Sequence, residues 1–140
     1  MDAFDADVLI YAAAAGHPLG RRVRALFPIE PLDGDEVAGI GSVLLMAEVL
    51  SKPLRERRDD EVTELAALLA RLELRPTDAT TAALATSFRA AYGLRTADAV
   101  HLATAVIAGA DRFLTNNTND FPRAIVEIDV IYPADLTDPP

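Results

Sequence analysis

Short apolar segments alternate with helical segments along this chain, and the alternation limits the possible folds more than any other feature. The segments that fit strands are residues 3–5, 36–40, 72–75, 112–115 and 126–130. Between them apolar side chains recur at helical spacing, and Pro53 and Gly93 mark two expected helix ends. Strands that alternate with helices favour a parallel sheet covered on both faces. We therefore predict a three-layer α/β/α sandwich around a mostly parallel sheet of about five strands.

The length and composition fit one domain in a reducing compartment. The chain has 140 residues, of which 51% are hydrophobic, and this is enough for one core but short for two. We expect a single domain over residues 1–132 and a loosely ordered tail rich in Pro and Asp over residues 133–140. No cysteine is present, which excludes disulfides and thiolate metal sites. Neither a signal segment nor an apolar run of about 18 residues occurs, so we expect a cytoplasmic protein without a membrane partner.

The charge pattern is acidic overall with two basic clusters. A net charge of −9 argues against broad electrostatic binding of nucleic acid, which depends on Lys and Arg at phosphates. Most basic runs are solvated helix faces, but these two are also the candidate nucleic-acid-binding residues. One cluster contains Arg21, Arg22 and Arg24, and the other contains Lys52 and Arg55, followed by Arg57 and Arg58.

Acidic residues stand where the predicted strands end and helices begin. Asp5 lies among apolar neighbours, and a carboxylate withdrawn from water needs hydrogen-bond donors or a cation. Asp5 therefore fits a structural strand end and a metal ligand equally well. We predict that Asp7, Ser42 and Thr96 are helix N-caps, since Asp, Ser and Thr are preferred there. His101 lies one helical turn after Asp98, and we expect a structural role for it.

The predicted topology brings several of these acids together. Glu48 shares a helix face with Leu44 and Leu45, and Asp98 lies in the first turn of a predicted helix over residues 97–108. Ligands of parallel sheets gather at the carboxyl ends of the strands, where Asp5 also lies. Carboxylates that meet without Lys or Arg repel one another unless a divalent cation is bound, and Mg²⁺ or Mn²⁺ suits oxygen ligands. Such a site can polarise a phosphodiester and activate a metal-bound water.

Four segments in order resemble the motifs of PIN-domain ribonucleases. The opening motif is similar to residues 4–11, Phe-Asp-Ala-Asp-Val-Leu-Ile-Tyr, although Ala6 stands where the family usually has Thr or Ser. The second motif resembles residues 42–50, which contain Glu48. The third resembles Thr96-Ala-Asp98-Ala-Val-His-Leu-Ala-Thr-Ala, and the fourth resembles residues 113–121. The ordered set covers nearly the whole chain, which is similar in size to single-domain VapC-type toxins of type II toxin–antitoxin pairs.

The resemblance implies an Mg²⁺- or Mn²⁺-dependent endoribonuclease that hydrolyses RNA with a metal-activated water. Asp5, Glu48 and Asp98 would form the acidic core, with Glu48 reaching the metal directly or through water. Asn117 occupies the place of the family's fourth acid, and Asp120 follows three residues later. Thr115 would contact phosphate or metal-bound water. The implied partners are RNA, a small cognate antitoxin protein and a second copy of the chain in a homodimer.

The sequence also allows two other functions and suggests one interaction surface. A PIN-like scaffold that no longer cleaves RNA is favoured by Asn117 and the acidic surface. A haloacid-dehalogenase-like phosphotransferase would use Asp5 as its nucleophile, but it needs a later lysine, and Lys52 beside Pro53 is the only lysine. The antitoxin groove or dimer surface is expected on two apolar helices. Their leucines and valine are Leu44, Leu45, Val49, Leu65, Leu68 and Leu69.

Overall fold

A five-stranded sheet forms the centre of the protein. The computed structural model describes residues 1–28 and 36–140. The strands are β1 Asp2–Phe4, β2 Gly39–Ser42, β3 Leu72–Arg75, β4 Arg112–Leu114 and β5 Asp129–Ile131. They are ordered β3-β2-β1-β4-β5, and every neighbouring pair is parallel. The predicted parallel α/β architecture is confirmed.

Helices connect the strands and cover both faces of the sheet. Their bounds are α1 Ala6–Ala13, α2 Pro18–Arg24, α3 Leu44–Arg55, α4 Asp59–Leu69, α5 Ala79–Tyr92 and α6 Thr96–Ile107, and a 3₁₀ turn spans Pro133–Asp135. Within the described ranges, no helix has both the length and the apolar character needed to cross a bilayer. The Pro- and Gly-containing stretch over residues 28–35 predicts a loop, and all of it except Pro28 lies outside the described residues.

The alternation of side chains along the strands divides the core into two clusters. Ala3 and Phe113 pack with residues of α5 and α6 on one face of the sheet. Phe4 and Leu114, the next residues along the same strands, pack with α1, α2, α3 and α4 on the other face. Successive residues of a strand point to opposite faces of the sheet, so each of these two strands contributes one side chain to the helical layer on either side. This is the three-layer sandwich.

The leucines expected on an interaction surface belong to this core instead. Leu45, Val49, Leu65, Leu68 and Leu69 are buried between the helices and the sheet. These five side chains do not line an external surface, because the apolar stripes of α3 and α4 face inward; that the two helices help to form an antitoxin groove or a dimer surface stays a prediction. The exposed apolar residues of this region are Val43, Met46 and Leu54.

The second strand begins three residues later than predicted because its glycines lie inside the sheet. A Cβ atom at Gly39 would lie 2.6 Å from the carbonyl oxygen of Asp2, and one at Gly41 would lie 2.4 Å from Leu45 Cδ1. Glycine therefore permits close packing of β2 against β1 and α3. The predicted strand over residues 126–130 is also shifted, since β5 begins at Asp129.

The expected helix end before Pro53 is wrong. Helix α3 continues through Pro53 to Arg55, and Pro53 is buried. Proline in a helix forfeits a hydrogen bond and usually kinks or breaks it. Here it lies in the last turn, where only a short stretch of helix follows, and its ring contributes to the core.

The three predicted helix caps also need correction. Helix α1 begins two residues earlier than predicted, so its N-cap is Asp5, and Asp7 lies in the first turn. Thr96 is the first residue of α6, after Arg95 as N-cap. Ser42 ends β2 and is not the N-cap of α3, although its Oγ accepts the Leu44 N–H at 3.1 Å. For α5 the sequence allows Thr77 or Asp78 as the N-cap, and the structure shows Asp78; Gly93 ends the helix as expected.

Candidate functional site

An acidic cavity opens where the carboxyl ends of the central strands meet α3 and α6. Its volume is about 370 Å³. Asp5 reaches it from the end of β1, Glu48 from α3 and Asp98 from the first turn of α6. The residues lining it are Asp5, Ala6, Asp7, Ile10, Glu48, Asp98 and Asn117, and none of them is basic. Three predicted acids thus line one cavity, with Asp7 as a fourth.

Asp5 is fixed by hydrogen bonds to both of its oxygens. Oδ1 accepts the Ala6 N–H at 2.8 Å, and Oδ2 accepts the Thr115 hydroxyl at 2.8 Å. The Asn117 N–H donates in turn to Thr115 Oγ1 at 3.1 Å. Burial raises the pKa of Asp5 despite these donors and the nearby His101. Thr115 therefore orients Asp5 from behind and does not line the cavity itself.

Asp7 is an acidic residue of the cavity that the sequence assigned only to a helix cap. Its Oδ2 accepts the Asn116 N–H at 3.0 Å. Its Oδ1 is buried and has no hydrogen-bond partner within the described residues. Burial, followed by repulsion from Asp5, raises the pKa of Asp7 to about 7. A buried carboxylate oxygen without a donor is costly and marks a place where a cation would be stabilising.

Asp98 is a further acid of the cavity whose pKa is raised. Burial raises its pKa to about 6, with further contributions from Asp5 and Asp120. The two candidates for the fourth position bond to each other, since Asn117 Nδ2 donates to Asp120 Oδ2 at 2.8 Å. Asn117 lines the cavity directly, and Asp120 lies behind it and close enough to Asp98 to repel it.

Glu48 has a buried partner that sequence reasoning did not place in the site. Its Oε1 lies 3.0 Å from Nε2 of His101, whose side chain is fully buried. Burial lowers the pKa of His101, but the bond to Glu48 and the charges of Asp5, Glu48 and Asp98 together raise it. The spacing of His101 and Asp98 on one helix was the available signal. It suggested a contact with Asp98, but the packing of α6 directs the ring to Glu48.

The donor set fits a hard divalent cation. One atom each of Asp5, Glu48 and His101 lie within 4.8 Å of one another. Burial is the main cause of the raised pKa values of Asp5, Asp7 and Asp98, and repulsion between neighbouring carboxylates adds to it, so a bound cation would stabilise their ionised forms. Carboxylate and amide oxygens around an open cavity are the ligands that Mg²⁺ and Mn²⁺ prefer.

The two basic clusters lie in different environments. Arg21 and Arg24 line a second cavity of about 580 Å³ together with Pro139 and Pro140. Arg22 is held by Asp138, to which its Nε donates at 2.7 Å. The other cluster is exposed at the end of α3, the helix that carries Glu48. Lys52 and Arg55 follow Glu48 by four and seven residues, which places them about 6 and 10 Å further along the helix axis.

Comparisons with known proteins agree with this architecture. The PIN domain family model matches residues 3–126. No curated protein matches the chain. A chain of a toxin–antitoxin complex from Klebsiella pneumoniae has a TM-score of 0.70 and 22% identity, covering 95% of this chain and 98% of that chain.

Two further solved structures share the fold. VapBC2 from Rickettsia felis, bound to a DNA fragment from its promoter, gives a TM-score of 0.69 at 18% identity and covers 94% of this chain and 97% of that chain. FitAcB from Neisseria gonorrhoeae gives 0.60 at 22% identity, with 97% and 100% covered. Because these identities are between 18% and 22%, the similarity shows a shared fold alone.

Proposed function

The chain belongs to the PIN-domain family, and from this premise we propose that it is a metal-dependent endoribonuclease, the toxin of a toxin–antitoxin pair. The observation that carries the proposal is the convergence of Asp5, Asp7, Glu48 and Asp98 on one cavity, where no Lys or Arg is found among the described residues that line it. A structural cluster would be expected to include compensating cations, because uncompensated buried carboxylates destabilise a fold.

The residues of the cavity suit hydrolysis of a phosphodiester. A divalent cation, when bound, supplies a Lewis acid for phosphate and lowers the pKa of a coordinated water. Asp5, Asp98 and Glu48 would hold that cation, and Thr115 keeps the Asp5 carboxylate in one orientation through its hydroxyl. Asn117 lies at the cavity wall with its backbone N–H bonded to Thr115, so it couples the loop after β4 to Asp5. An amide at this place would offer a second cation an oxygen without charge, and its Oδ1 already accepts the Asp120 N–H at 3.3 Å, so that cation would bind weakly.

We place the RNA along α3. Lys52 and Arg55 extend from the acidic cavity on the exposed side of the helix that carries Glu48, so they can neutralise phosphates that flank the scissile bond. Arg21 and Arg24 do not line the acidic cavity, and Arg22 is engaged by Asp138. The α2 cluster is therefore the weaker candidate for contact near the cut.

Charge reversal separates the two clusters. We expect the double variant Lys52→Glu/Arg55→Glu to raise KM for single-stranded RNA by about 10-fold or more at low salt. The affinity should also depend less on salt, because each lost phosphate contact lowers the slope of log affinity against log salt concentration by about one. The value of kcat should change little. Arg21→Glu/Arg24→Glu is the matched comparison with the same change of charge. A larger rise in KM from Arg21→Glu/Arg24→Glu would show that RNA binds along α2 instead of α3.

The toxin assignment adds protein partners to the proposal. The solved relatives include a toxin–antitoxin complex, and the exposed apolar residues Val43, Met46 and Leu54 on and beside α3 support a protein contact on that helix. We propose that a small antitoxin covers the cavity with a basic side chain. We also propose that the protein forms a homodimer, which presents the basic clusters of both subunits to RNA, and that it acts in the cytoplasm. Co-expression with the protein encoded beside it should give a stable complex that lacks nuclease activity.

A cleavage assay tests the proposed activity against its alternatives. The purified chain should cut single-stranded RNA with Mn²⁺ or Mg²⁺, should stop in EDTA, and should lose activity in Asp98→Asn. A folded, antitoxin-free chain that never cleaves would favour the scaffold hypothesis, for which Asn117 at the cavity is the specific support. The phosphotransferase hypothesis has little support, since Lys52 does not line the acidic cavity.

A further inference from the structure

The Glu48–His101 pair is a partly buried polar contact at this cavity to which the proposed chemistry gives no role. His101 Nε2 lies 3.0 Å from Glu48 Oε1, and the two residues are 53 positions apart in sequence. The contact joins α6 to α3, so it links the helix that carries Asp98 to the helix that carries Glu48. The side chain of Glu48 is 32% exposed, whereas that of His101 is 0% exposed.

We propose that His101 is a positioning residue that donates its Nε2 hydrogen to Glu48 Oε1 and thereby holds this carboxylate at the cation site. The inference rests on the proposed function, because it gives Glu48 a role in holding the cation. A glutamate on an exposed helix surface has three rotatable side-chain bonds and loses considerable entropy when it is fixed. A buried donor that is itself immobile reduces the entropy lost when a cation binds, since the carboxylate is already oriented.

The geometry favours positioning over direct ligation by His101. His101 is not among the residues that line the cavity, although one of its ring nitrogens lies within 4.8 Å of carboxylate oxygens of Asp5 and Glu48. A histidine that ligates a metal through Nε2 almost always donates its Nδ1 hydrogen to an oxygen. Nδ1 of His101 is buried and has no partner in the described part of the chain. A hydrogen on Nε2, which the Nε2-protonated neutral ring and the imidazolium both carry, gives Glu48 the donor it needs.

The test compares His101→Leu with His101→Gln. Leucine removes the donor and keeps an apolar side chain in the buried pocket. Glutamine supplies an amide N–H that can occupy the place of Nε2–H. Isothermal titration calorimetry with Mn²⁺ and, separately, with Mg²⁺ measures affinity without RNA, and circular dichroism melts report that each variant is folded.

We expect His101→Leu to weaken both cations by a similar factor of about 10 to 100, the usual effect of losing a partner of a metal ligand. His101→Gln should recover most of that loss. In a Glu48→Gln background, His101→Leu should have little further effect, because the two residues act through one interaction. The RNA assay should show the same order of variants.

The possible failures are distinguishable. Wild-type affinity in His101→Leu overturns the positioning role, whether or not RNA is cleaved. A loss much larger for Mn²⁺ than for Mg²⁺, without recovery in His101→Gln, overturns it in favour of direct ligation, because imidazole nitrogen suits Mn²⁺ better than Mg²⁺. If the affinities follow the expected order but the wild type never cleaves RNA, the proposed function fails and the positioning role stands. A wild type that binds neither cation overturns both.

Discussion

Replacing Asp5 with Asn is expected to remove cation binding and RNA cleavage while the fold remains intact. Asparagine is nearly isosteric and its Oδ1 can still accept the Ala6 N–H as helix cap. The lost charge removes a central ligand of the cavity. Partners of metal ligands are worth about 10- to 100-fold in affinity or activity, so loss of a ligand itself should exceed about 100-fold.

The measurement pairs Mn²⁺ titration calorimetry with single-turnover cleavage of labelled RNA. Asp60→Asn is the matched control, since Asp60 is an exposed acid in the first turn of α4 and does not line the cavity. It should bind Mn²⁺ and cleave like the wild type. Retention of more than about one tenth of the activity in Asp5→Asn would place the chemistry elsewhere.

The metal-free protein is expected to lose stability as the pH rises from about 4 to above 7. Burial raises the pKa of Asp7 from 3.8 to about 7, with added repulsion from Asp5. The folded state therefore holds a proton that the unfolded state has already released. The contribution of protonated Asp7 to the free energy of unfolding is therefore fully present below the pKa of Asp7 in the unfolded chain. It is lost as the pH rises through the higher pKa of Asp7 in the folded protein. For Asp7 the loss amounts to as much as about 4 kcal/mol, at 1.36 kcal/mol for each tenfold change in proton affinity.

Asp7→Asn should remove much of this slope and stabilise the metal-free chain at pH 8. Thermal melts at pH 5 and pH 8, in EDTA and in Mn²⁺, measure the effect. Mn²⁺ should stabilise the wild type most at pH 8, because it compensates the ionised carboxylates. Asp78→Asn is the control, since hydrogen bonds from Thr81 lower the pKa of that cap residue and predict no stabilisation. A wild type as stable at pH 8 as at pH 5 in EDTA would contradict this account.

The sequence predicted the architecture and much of the cavity for physical reasons that are local. Alternation of strands and helices favours a parallel sheet, and residues after parallel strands share one edge, so Asp5 and the turn around Asn117 could converge there. That they are neighbours depends on the pairing of β1 with β4, which the structure shows. Glu48 was identifiable because a charged residue on an apolar helical face needs a partner. That Glu48, Asp98 and Asp5 line one cavity followed from these rules.

The features that the sequence did not predict depend on packing or on small shifts of an element. Asp7 could be recognised as a buried acid only once the start of α1 at Ala6 was known, since a start two residues later makes it a cap. The partner of His101 depends on how α6 lies against α3, which periodicity does not specify. The later start of β2 could not be predicted, because the atoms that Gly39 and Gly41 pack against belong to Asp2, which is far away in sequence, and to Leu45 of α3.

The central claim, that the carboxylates of this cavity form a divalent-cation site, is tested most directly by a crystal grown or soaked with Mn²⁺. An anomalous difference map recorded near the manganese absorption edge should show a peak in the cavity bounded by Asp5, Glu48 and Asp98, and the peak should be absent in Asp5→Asn. A map without a peak at this cavity, or with manganese only at other surface acids, would contradict the account.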